Sequence, residues 1–374
     1  MSERRKVALV TGFPTSFLAT RVVSKLLREE RQLELVLVVQ ERSMERAEAL
    51  LGARTDAERA RVRLLEGDAA AMDLGLSGRE ILQLAREVDF IHHCAAITYL
   101  GVEHDAARQL NVQGTREVIE LANDADHLER LVHWSTALVS GARRGYVLEE
   151  ELDASSGFRN PIEKTRFEAE VLVRRAADRV PTTILRPSIV VGDSVTGEID
   201  RLEGPYLLVL LMLNAPMDLR MPLPGRGDIP LNLVPIDYVV DAGYAIAKDR
   251  RSLGKTFHLV DPAPVTARRV FELIARAAGR PSPRGLLPAN LATALLRTPG
   301  LERFAHVPRA FLEQLATEVV YDDRNAREIL DELDIRCPPL TSYVDVMVEY
   351  VRQQQSVRRA RSRDDSVEID DPLQ

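Results

Sequence analysis

The chain has 374 residues, of which 45% are hydrophobic and 29% charged, so its composition is that of a folded globular protein rather than a disordered or fibrous one. Its net charge of −7 gives no reason to expect a nucleic-acid partner. The two cysteines, Cys94 and Cys337, form neither a disulfide framework nor a metal-ligand cluster, and we expect no metal site.

The predicted elements of the first 191 residues alternate between strands and helices. Short apolar runs predict strands at 7–10, 35–39, 62–65, 88–92, 130–134 and 181–186. Apolar residues at helical spacing predict helices at 17–27, 43–51, 78–86 and 102–123. This alternation favours an α/β fold in which a parallel sheet carries helices on both faces.

The pattern changes after Val191. Glycine and proline clusters interrupt helical stretches in 192–233 and 261–351, and we expect these segments to form a smaller, mainly helical cap. Between them, 234–260 returns to the core with a late strand at 256–260. The tail, 352–374, is basic and then acidic, and its composition predicts disorder.

Targeting and membrane signals are not predicted. The first strand-like run begins at Lys6, which leaves no room for a signal peptide. Apolar runs such as 207–213 are far shorter than the ~20 residues that cross a bilayer. We therefore expect a cytoplasmic protein without a transmembrane segment.

The turn after the first predicted strand has features of a phosphate-binding turn. Thr11-Gly12 ends the strand, and Thr15-Ser16-Phe17-Leu18 leads into the first helix. Such a turn needs small residues where the backbone approaches a pyrophosphate, and a helix N-terminus directed at the charge. Gly12 meets the first need, but Ser16 and Ala19 are not glycine. An ordinary tight turn is the alternative.

Small and polar residues also follow the later predicted strands. Asp68 follows the third strand, where a carboxylate can accept a hydrogen bond from an adenine amino group. Ala95-Ala96 follow the fourth and are small enough for a cofactor to approach. Thr136 follows the fifth, and Pro187-Ser188-Ile189 follow the sixth. Each alone is typical of a turn, and only their joint order indicates a dinucleotide site.

From about residue 6 to 350 the chain resembles the extended short-chain dehydrogenase/reductase superfamily, in particular its branch of fatty-acyl-CoA reductases and thioester reductase domains. The matching segments are 67–68 with 73–76, 111–122, 135–141, 167–170 and 233–241. The resemblance implies a Rossmann-type doubly wound parallel sheet with a smaller helical C-terminal substrate cap, and a nicotinamide cofactor, usually NADPH. The cofactor contacts that it implies are Thr11, Gly12, Thr15, Ser16, Phe17, Leu18, Arg42, Asp68, Ala95, Ala96, Arg166, Pro187, Ser188 and Ile189.

The catalytic positions depart from this family. Its members resemble one another in a Tyr-x-x-x-Lys on the helix after the fifth strand, and the matching residues here are Ile162 and Arg166. The tyrosine transfers a proton and the lysine lowers its pKa and holds the nicotinamide ribose, whereas isoleucine has no exchangeable proton. Arginine still donates to hydroxyls, but with a different geometry. Thr136 matches the hydroxyl that completes the site.

Substitute proton donors can be proposed elsewhere in the sequence. Lys164 lies two residues from both Ile162 and Arg166, so we expect it on another side of the helix. His93 and Tyr99 follow the fourth strand, and Tyr146 lies after the fifth. Such residues more often pack or cap than catalyse.

The choice between NAD and NADP stays open in the sequence. Glu41 and Arg42 follow the second strand; a carboxylate binds a ribose diol and favours NAD, and an arginine pairs with a 2′-phosphate and favours NADP. Both are also common as solvated charges at a helix start. The resemblance favours NADP(H).

The cap indicates only a class of substrate. Apolar helical stretches at 206–214, 286–296 and 301–315 suit a channel for an acyl chain or another apolar molecule. Core packing and a homodimer face are the alternatives.

Two main functions follow. One is an NAD(P)H-dependent reductase or dehydrogenase acting on an acyl, carbonyl or hydroxyl group of an apolar substrate. The other is a catalytically degenerate relative that acts as a dinucleotide- or lipid-binding sensor or scaffold. An isomerase or dehydratase on the same fold is a third, weaker alternative, and whether the chain is an enzyme stays open.

Overall fold

Strands and helices alternate through the first half of the chain. The computed structural model describes residues 4–98, 102–214, 223–224, 227–287 and 318–367. The strands are β1 (Val7–Thr11), β2 (Glu34–Val39), β3 (Val62–Glu66), β4 (Phe90–His93), β5 (Arg130–Trp134), β6 (Gly145–Val147), β7 (Thr182–Pro187), β8 (Ile189–Val191), β9 (Leu223–Pro224), β10 (Leu233–Pro235), β11 (Thr256–Leu259), β12 (Leu286–Leu287) and β13 (Val319–Tyr321). The helices are α1 (Phe17–Glu29), α2 (Met44–Gly52), α3 (Asp56–Arg59), α4 (Gly78–Glu87), α5 (His104–Arg108), α6 (Gly114–Asp124), α7 (Pro161–Ala176), α8 (Pro205–Asn214), α9 (Ile236–Lys248), α10 (Ala267–Ala277), α11 (Arg324–Leu330) and α12 (Val344–Val367).

Seven strands form one parallel sheet in the order β3-β2-β1-β4-β5-β7-β11. All five residues of β1 are buried, as expected for a central strand covered on both faces. The predicted α/β fold with a parallel sheet is therefore confirmed. Because parallel strands end at one edge of the sheet, the residues that follow β1, β3, β4, β5 and β7 share that edge.

Local sequence signals set the helices that border this edge. Ser16 caps α1, where its hydroxyl oxygen accepts a hydrogen bond from the Ala19 N–H at 3.2 Å. Asn160 caps α7 by accepting from the Glu163 N–H at 3.0 Å, and Pro161 is the first helical residue. Helix α1 buries an apolar stripe, whereas the buried face of α7 combines apolar residues with polar and charged ones, Glu163, Thr165, Arg166 and Glu170.

The helix predicted over 102–123 is divided. α5 ends at Arg108, a π-helical turn covers Gln109–Gln113, and α6 starts at Gly114. Within the turn the amide of buried Asn111 bonds to the backbone of Ile97 in both directions, at 2.8 and 3.2 Å. A tertiary contact of this kind adds a residue to the turn, which the apolar spacing alone does not reveal.

The C-terminal segment also differs from its prediction. Residues 352–367, predicted to be disordered from their charge, continue helix α12. Val351 is fully buried, and the Arg352 guanidinium donates to the Ala277 carbonyl at 3.1 Å, so the helix is anchored where the charged run begins. Arginine, glutamine and alanine are good helix formers and prolong it. Residues 368–374 lie outside the described residues.

Two compact units divide the chain. The first comprises Met1–Val190, Ile236–Pro262 and Thr317–Cys337, and the second Val191–Pro235, Ala263–Ala316 and Pro338–Gln374. The sequence placed 317–337 with the cap, but β13 in this segment pairs with β6 and Tyr321 packs with Ala137 and Val147 of the first unit. A strand of three residues is too short for its sequence pattern to predict it. Only the pairing with β6 shows that this segment belongs to the first unit.

In the second unit, helices α8, α10 and α12 pack together. Their buried residues include Val209, Phe271 and Val348, so the described part is mainly helical, as predicted. The stretch 301–315, and 286–296 beyond Leu287, lie outside the described residues. Within the described residues, no helix is both long enough and apolar enough to cross a membrane.

Candidate functional site

The turn after β1 leads directly into the N-terminus of α1. Gly12 has a φ of +92°, and a Cβ there would lie 2.9 Å from the Ala95 backbone, so only glycine fits. The Ser16 N–H donates to the Gly12 carbonyl at 2.8 Å. Phe17 and Leu18 are half-buried and stand in the first helical turn, whose N–H groups have no intrahelical partner. The turn thus suits a phosphate group.

Thr11 lies beneath this turn and points inward. Its side chain is fully buried, and its hydroxyl oxygen accepts from the Ala95 N–H at 3.2 Å and lies 2.9 Å from Nδ1 of His93. The hydroxyl therefore holds the end of β4 beside the turn and is not directed toward a ligand. Thr15, by contrast, is exposed.

His93 is buried with both ring nitrogens occupied. Nε2 lies 2.9 Å from the Thr115 hydroxyl, on the side of the ring opposite Thr11. Burial, with a further contribution from the Arg166 charge, lowers the pKa of His93 to about 3, so the ring is neutral. It has no nitrogen left to donate a proton to a substrate, which argues against its candidacy as the replacement acid.

A left-handed turn holds Asp68 at the end of β3. The Asp68 N–H donates to the Leu74 carbonyl at 2.7 Å, and Asp73 and Leu74 have φ values of 53° and 58°. Left-handed residues other than glycine cost of order 1 kcal/mol or more and persist only where contacts enforce them. Here the buried carboxylate of Glu117 accepts from the Asp73 N–H at 3.0 Å. The sequence shows the matching segments 67–68 and 73–76, but it does not show that Glu117 supports the turn between them.

Glu41 and Arg42 follow β2 in a short 3₁₀ turn, and both are exposed. The Arg42 Nε donates to the Gln40 amide oxygen at 3.0 Å, which steadies the guanidinium. A ribose diol and a 2′-phosphate both have a suitable partner at this strand end.

Thr136 follows β5 and begins a 3₁₀ turn. Its hydroxyl donates to the Pro187 carbonyl at 3.3 Å and accepts from the Leu138 N–H at 3.2 Å. The end of β5 is thereby tied to the Pro187-Ser188-Ile189 segment, in which the Ser188 N–H donates to the Leu259 carbonyl at 3.1 Å.

Ile162 and Arg166 lie one turn apart on α7 and are both buried, at 8% and 4% exposure. One terminal nitrogen of Arg166 donates to the Trp134 carbonyl, while its Nε has no partner among the described residues. Burial lowers the pKa of Arg166 to about 10, partly opposed by Glu170 and Cys94. Lys164 is exposed, as predicted from its spacing. The guanidinium of Arg166 is therefore buried and faces inward.

A buried ion cluster joins the same strand ends to α7. The Glu170 carboxylate accepts from Ser135 at 2.7 Å, from Arg186 at 2.6 and 3.0 Å, and from Arg174 at 3.0 Å. Burial raises the pKa of Glu170, but the charges of Arg186 and Arg174 and these hydrogen bonds hold it below its ordinary value. In the sequence Glu170 falls within the matching segment 167–170 and Arg186 ends the predicted strand 181–186; only the fold shows that the two pair.

The remaining candidate donors do not join this group. Tyr146 is 69% exposed on β6, and Tyr99 lies outside the described residues. Cys94 is buried, and burial raises its pKa. In the described part of the chain, no three or more His, Cys, Asp or Glu side chains cluster as metal ligands would.

Known proteins are similar to this chain in sequence and in fold. The sequence profile of the NAD-binding family described as male sterility protein matches residues 10–243. Fatty acyl-CoA reductase wat of Drosophila melanogaster is 29% identical over 248 residues, 57% of this chain and 47% of that protein. The chain thus spans about half the length of this curated relative.

Two solved structures are similar over nearly the whole chain. The terminal R domain of the myxalamid PKS-NRPS biosynthetic pathway has a TM-score of 0.80 and 25% identity, covering 95% of this chain and 92% of that one. UDP-glucuronic acid 4-epimerase from Bacillus cereus, in complex with NAD, has a TM-score of 0.67 and 17% identity, covering 93% and 97%, which is a likeness of fold alone. The chain therefore belongs to the NAD-binding family described as male sterility protein, in the fatty-acyl-CoA-reductase-like branch of the extended short-chain dehydrogenases/reductases.

Proposed function

We propose that this chain binds a nicotinamide dinucleotide, preferentially NADP(H), at the carboxyl edge of its parallel sheet. We further propose that it reduces an acyl or carbonyl group of an apolar substrate only slowly. The observation that carries the proposal is the buried hydrocarbon of Ile162 at the start of α7, where the family places its proton donor.

The bound dinucleotide supplies the hydride in such a reaction. A carbonyl oxygen that gains the electron pair must also receive a proton, and a positioned general acid is typically worth 10²–10⁴ in rate. Ile162 has no such proton, the Thr136 hydroxyl donates to the Pro187 carbonyl, and both nitrogens of His93 are bonded. Among the candidate donors in the described part of the chain none is free to give this proton, so we propose that water supplies it and that the rate is low.

Three features at this edge of the sheet support dinucleotide binding. Gly12 and the first turn of α1 suit the pyrophosphate, Asp68 suits the adenine, and Arg42 suits a 2′-phosphate. Binding therefore does not depend on the altered α7 positions alone.

A non-catalytic dinucleotide-binding sensor is the second candidate. It is favoured by Arg166, whose guanidinium is buried and bonded to the Trp134 carbonyl, so that this residue serves packing as well as any ligand. The apolar or acyl nature of the substrate rests on family likeness, and a homodimer stays a prediction.

Titration tests the binding step. The purified protein is titrated with NADPH and with NADH while cofactor fluorescence is recorded. We expect saturable binding with the lower Kd for NADPH, and we expect Arg42→Ala to remove most of that preference while Arg86→Ala, an exposed arginine on α4, leaves it intact. Failure of both cofactors to bind at millimolar concentration would remove the proposal.

A further inference from the structure

His93 stands between two buried threonines in a chain of hydrogen bonds whose direction is determined. The Thr115 hydroxyl donates to the Asn111 carbonyl at 2.7 Å, so its oxygen must accept from Nε2–H of His93. Nδ1 is then the acceptor for the Thr11 hydroxyl, which itself accepts from the Ala95 N–H. Every group in this chain has a partner with a single ring tautomer.

The connection from Thr115 to helix α7 passes through Asn111, whose backbone carbonyl accepts from Thr115 and whose side-chain amide bonds to Thr165. Within the π-helical turn, the Asn111 amide donates to the Thr165 hydroxyl at 2.9 Å and accepts from the Ile97 N–H at 2.8 Å. Thr165 is fully buried and immediately precedes Arg166. One connected network thus joins the glycine turn after β1 to the helix that carries the altered catalytic positions.

We propose that His93 and Thr115 are positioning residues that couple dinucleotide binding at the Gly12 turn to the Asn111 turn and helix α7. The inference rests on the proposed dinucleotide binding. The physical link is Ala95: its backbone lies so close to Gly12 that a Cβ there would approach within 2.9 Å, and its N–H is held by the Thr11 hydroxyl. Loss of the Thr115 hydroxyl removes the acceptor for Nε2–H of His93. The His93 ring then no longer fixes the Thr11 hydroxyl, which holds Ala95 beside the turn, and the turn becomes looser.

Two neighbouring histidines show that burial alone does not require such bonding. His92 is buried with Nδ1 unpartnered, and His133, stacked on His93 at 5.5 Å between ring centroids, has neither nitrogen bonded within the described residues. Among these three rings, the fully bonded one is His93. Removing its partner strands a buried polar group, which costs more than the bond itself contributes.

The test uses valine substitutions that keep the side-chain shape. Thr115→Val lies on α6, away from the Gly12 turn, yet we expect it to raise the NADPH Kd about fivefold or more, the equivalent of one lost buried hydrogen bond. Thr11→Val should do the same, and the double variant should be no weaker than the worse single variant, because both remove one connected chain. Thr115→Ser, which keeps the hydroxyl, should bind like the wild type.

Thr183→Val is the matched control. Thr183 is fully buried on β7, and its hydroxyl donates to the Ser252 carbonyl at 3.1 Å, so this variant loses an equivalent bond outside the network. We expect reduced stability with an unchanged Kd. Wild-type affinity in Thr115→Val, or additive losses in the double variant, would overturn the inference while leaving dinucleotide binding intact.

A ligand-free measurement separates this inference from the proposed function. Hydrogen exchange of the Ala95 N–H should accelerate in Thr115→Val but not in Thr183→Val, whether or not any dinucleotide binds. Unchanged exchange at Ala95 would refute the coupling. If exchange responds as expected and the wild type binds neither cofactor, the proposed function fails and the coupling stands as a property of the fold.

Discussion

The family resemblance implies a catalytic phenol at the position of Ile162 and an ammonium at the position of Arg166, so that a hydrocarbon and a guanidinium stand in their places. The two changes form a pair. A lysine lowers the pKa of a neighbouring tyrosine through its charge. Without the tyrosine there is no hydroxyl whose pKa that charge could lower. The guanidinium instead bonds to the Trp134 carbonyl and fills buried space.

Restoring the pair is the residue-scale prediction. The variant with Ile162→Tyr and Arg166→Lys should reduce an acyl or carbonyl substrate with NADPH at a rate about 10² or more above the wild type, because a general acid returns. The rate of NADPH oxidation in single-turnover and steady-state assays measures this.

The matched control replaces the phenol by a plain ring. Ile162→Phe with Arg166→Lys introduces the same bulk without a hydroxyl, and it should stay as slow as the wild type. Equal gains in both double variants would mean that ring packing, and not proton donation, limits the rate.

At the scale of elements, the turn between β1 and α1 requires glycine at position 12. Gly12→Ala should lower the free energy of unfolding by more than about 1 kcal/mol, because a left-handed φ strains any side chain and the new Cβ meets the Ala95 backbone. It should also abolish dinucleotide binding. Urea denaturation and cofactor titration measure the two effects. Gly78→Ala, whose added Cβ would meet no atom within 4 Å beyond its chain neighbours and its own helix backbone, should show neither effect.

The Glu149 carboxylate, which joins β11 to α11, should make the stability of the fold depend on pH. Fully buried Glu149 accepts from the backbone N–H groups of His258, Asn325 and Ala326 at 2.8, 2.6 and 3.3 Å. Burial raises the pKa of Glu149 to about 7, although these N–H groups lower it. The folded state therefore binds this proton more tightly than the unfolded chain does, and the stability from Glu149 falls as pH rises from about 4.5 through 7.

This predicts a pH-dependent difference between wild type and Glu149→Gln. From pH 5 to pH 8 the wild type should lose up to about 3 kcal/mol of unfolding free energy relative to the variant, which cannot ionise. Chemical denaturation at the two pH values measures this. Glu150→Gln is the control, because Glu150 is exposed and a hydrogen bond from Asn325 lowers its pKa. The wild type should therefore not lose unfolding free energy relative to Glu150→Gln between pH 5 and pH 8. A pH-independent difference for Glu149→Gln would contradict the prediction.

For the whole molecule, ligand binding and folding are linked by mass action. A dinucleotide that binds only the folded first unit should raise its unfolding free energy by about 2.7 kcal/mol at 100 times Kd. Thermal unfolding with increasing NADP+ should show a rising midpoint in the wild type and none in Gly12→Ala. A midpoint that does not move at saturating NADP+ would contradict binding to the folded state.

The fold was largely predictable because its signals are local. Apolar runs marked β1, β2 and β5 within one or two residues. Signals that depend on distant partners were missed: the π-helical turn at Gln109–Gln113 and the pairing of β13 with β6. A three-residue strand or one added turn residue has no periodicity of its own.

The candidate site divides in the same way. By itself the sequence determined which chemical groups are present, because the absence of a phenol at 162 and the presence of an arginine at 166 are covalent facts. Only the tertiary structure decided what those groups bond to: that Thr11 points inward to His93, that Arg166 bonds to the Trp134 carbonyl, and that Glu170 pairs with Arg186. Hydrogen bonds between residues far apart in the chain depend on distances of a few ångströms, which packing sets and residue order does not.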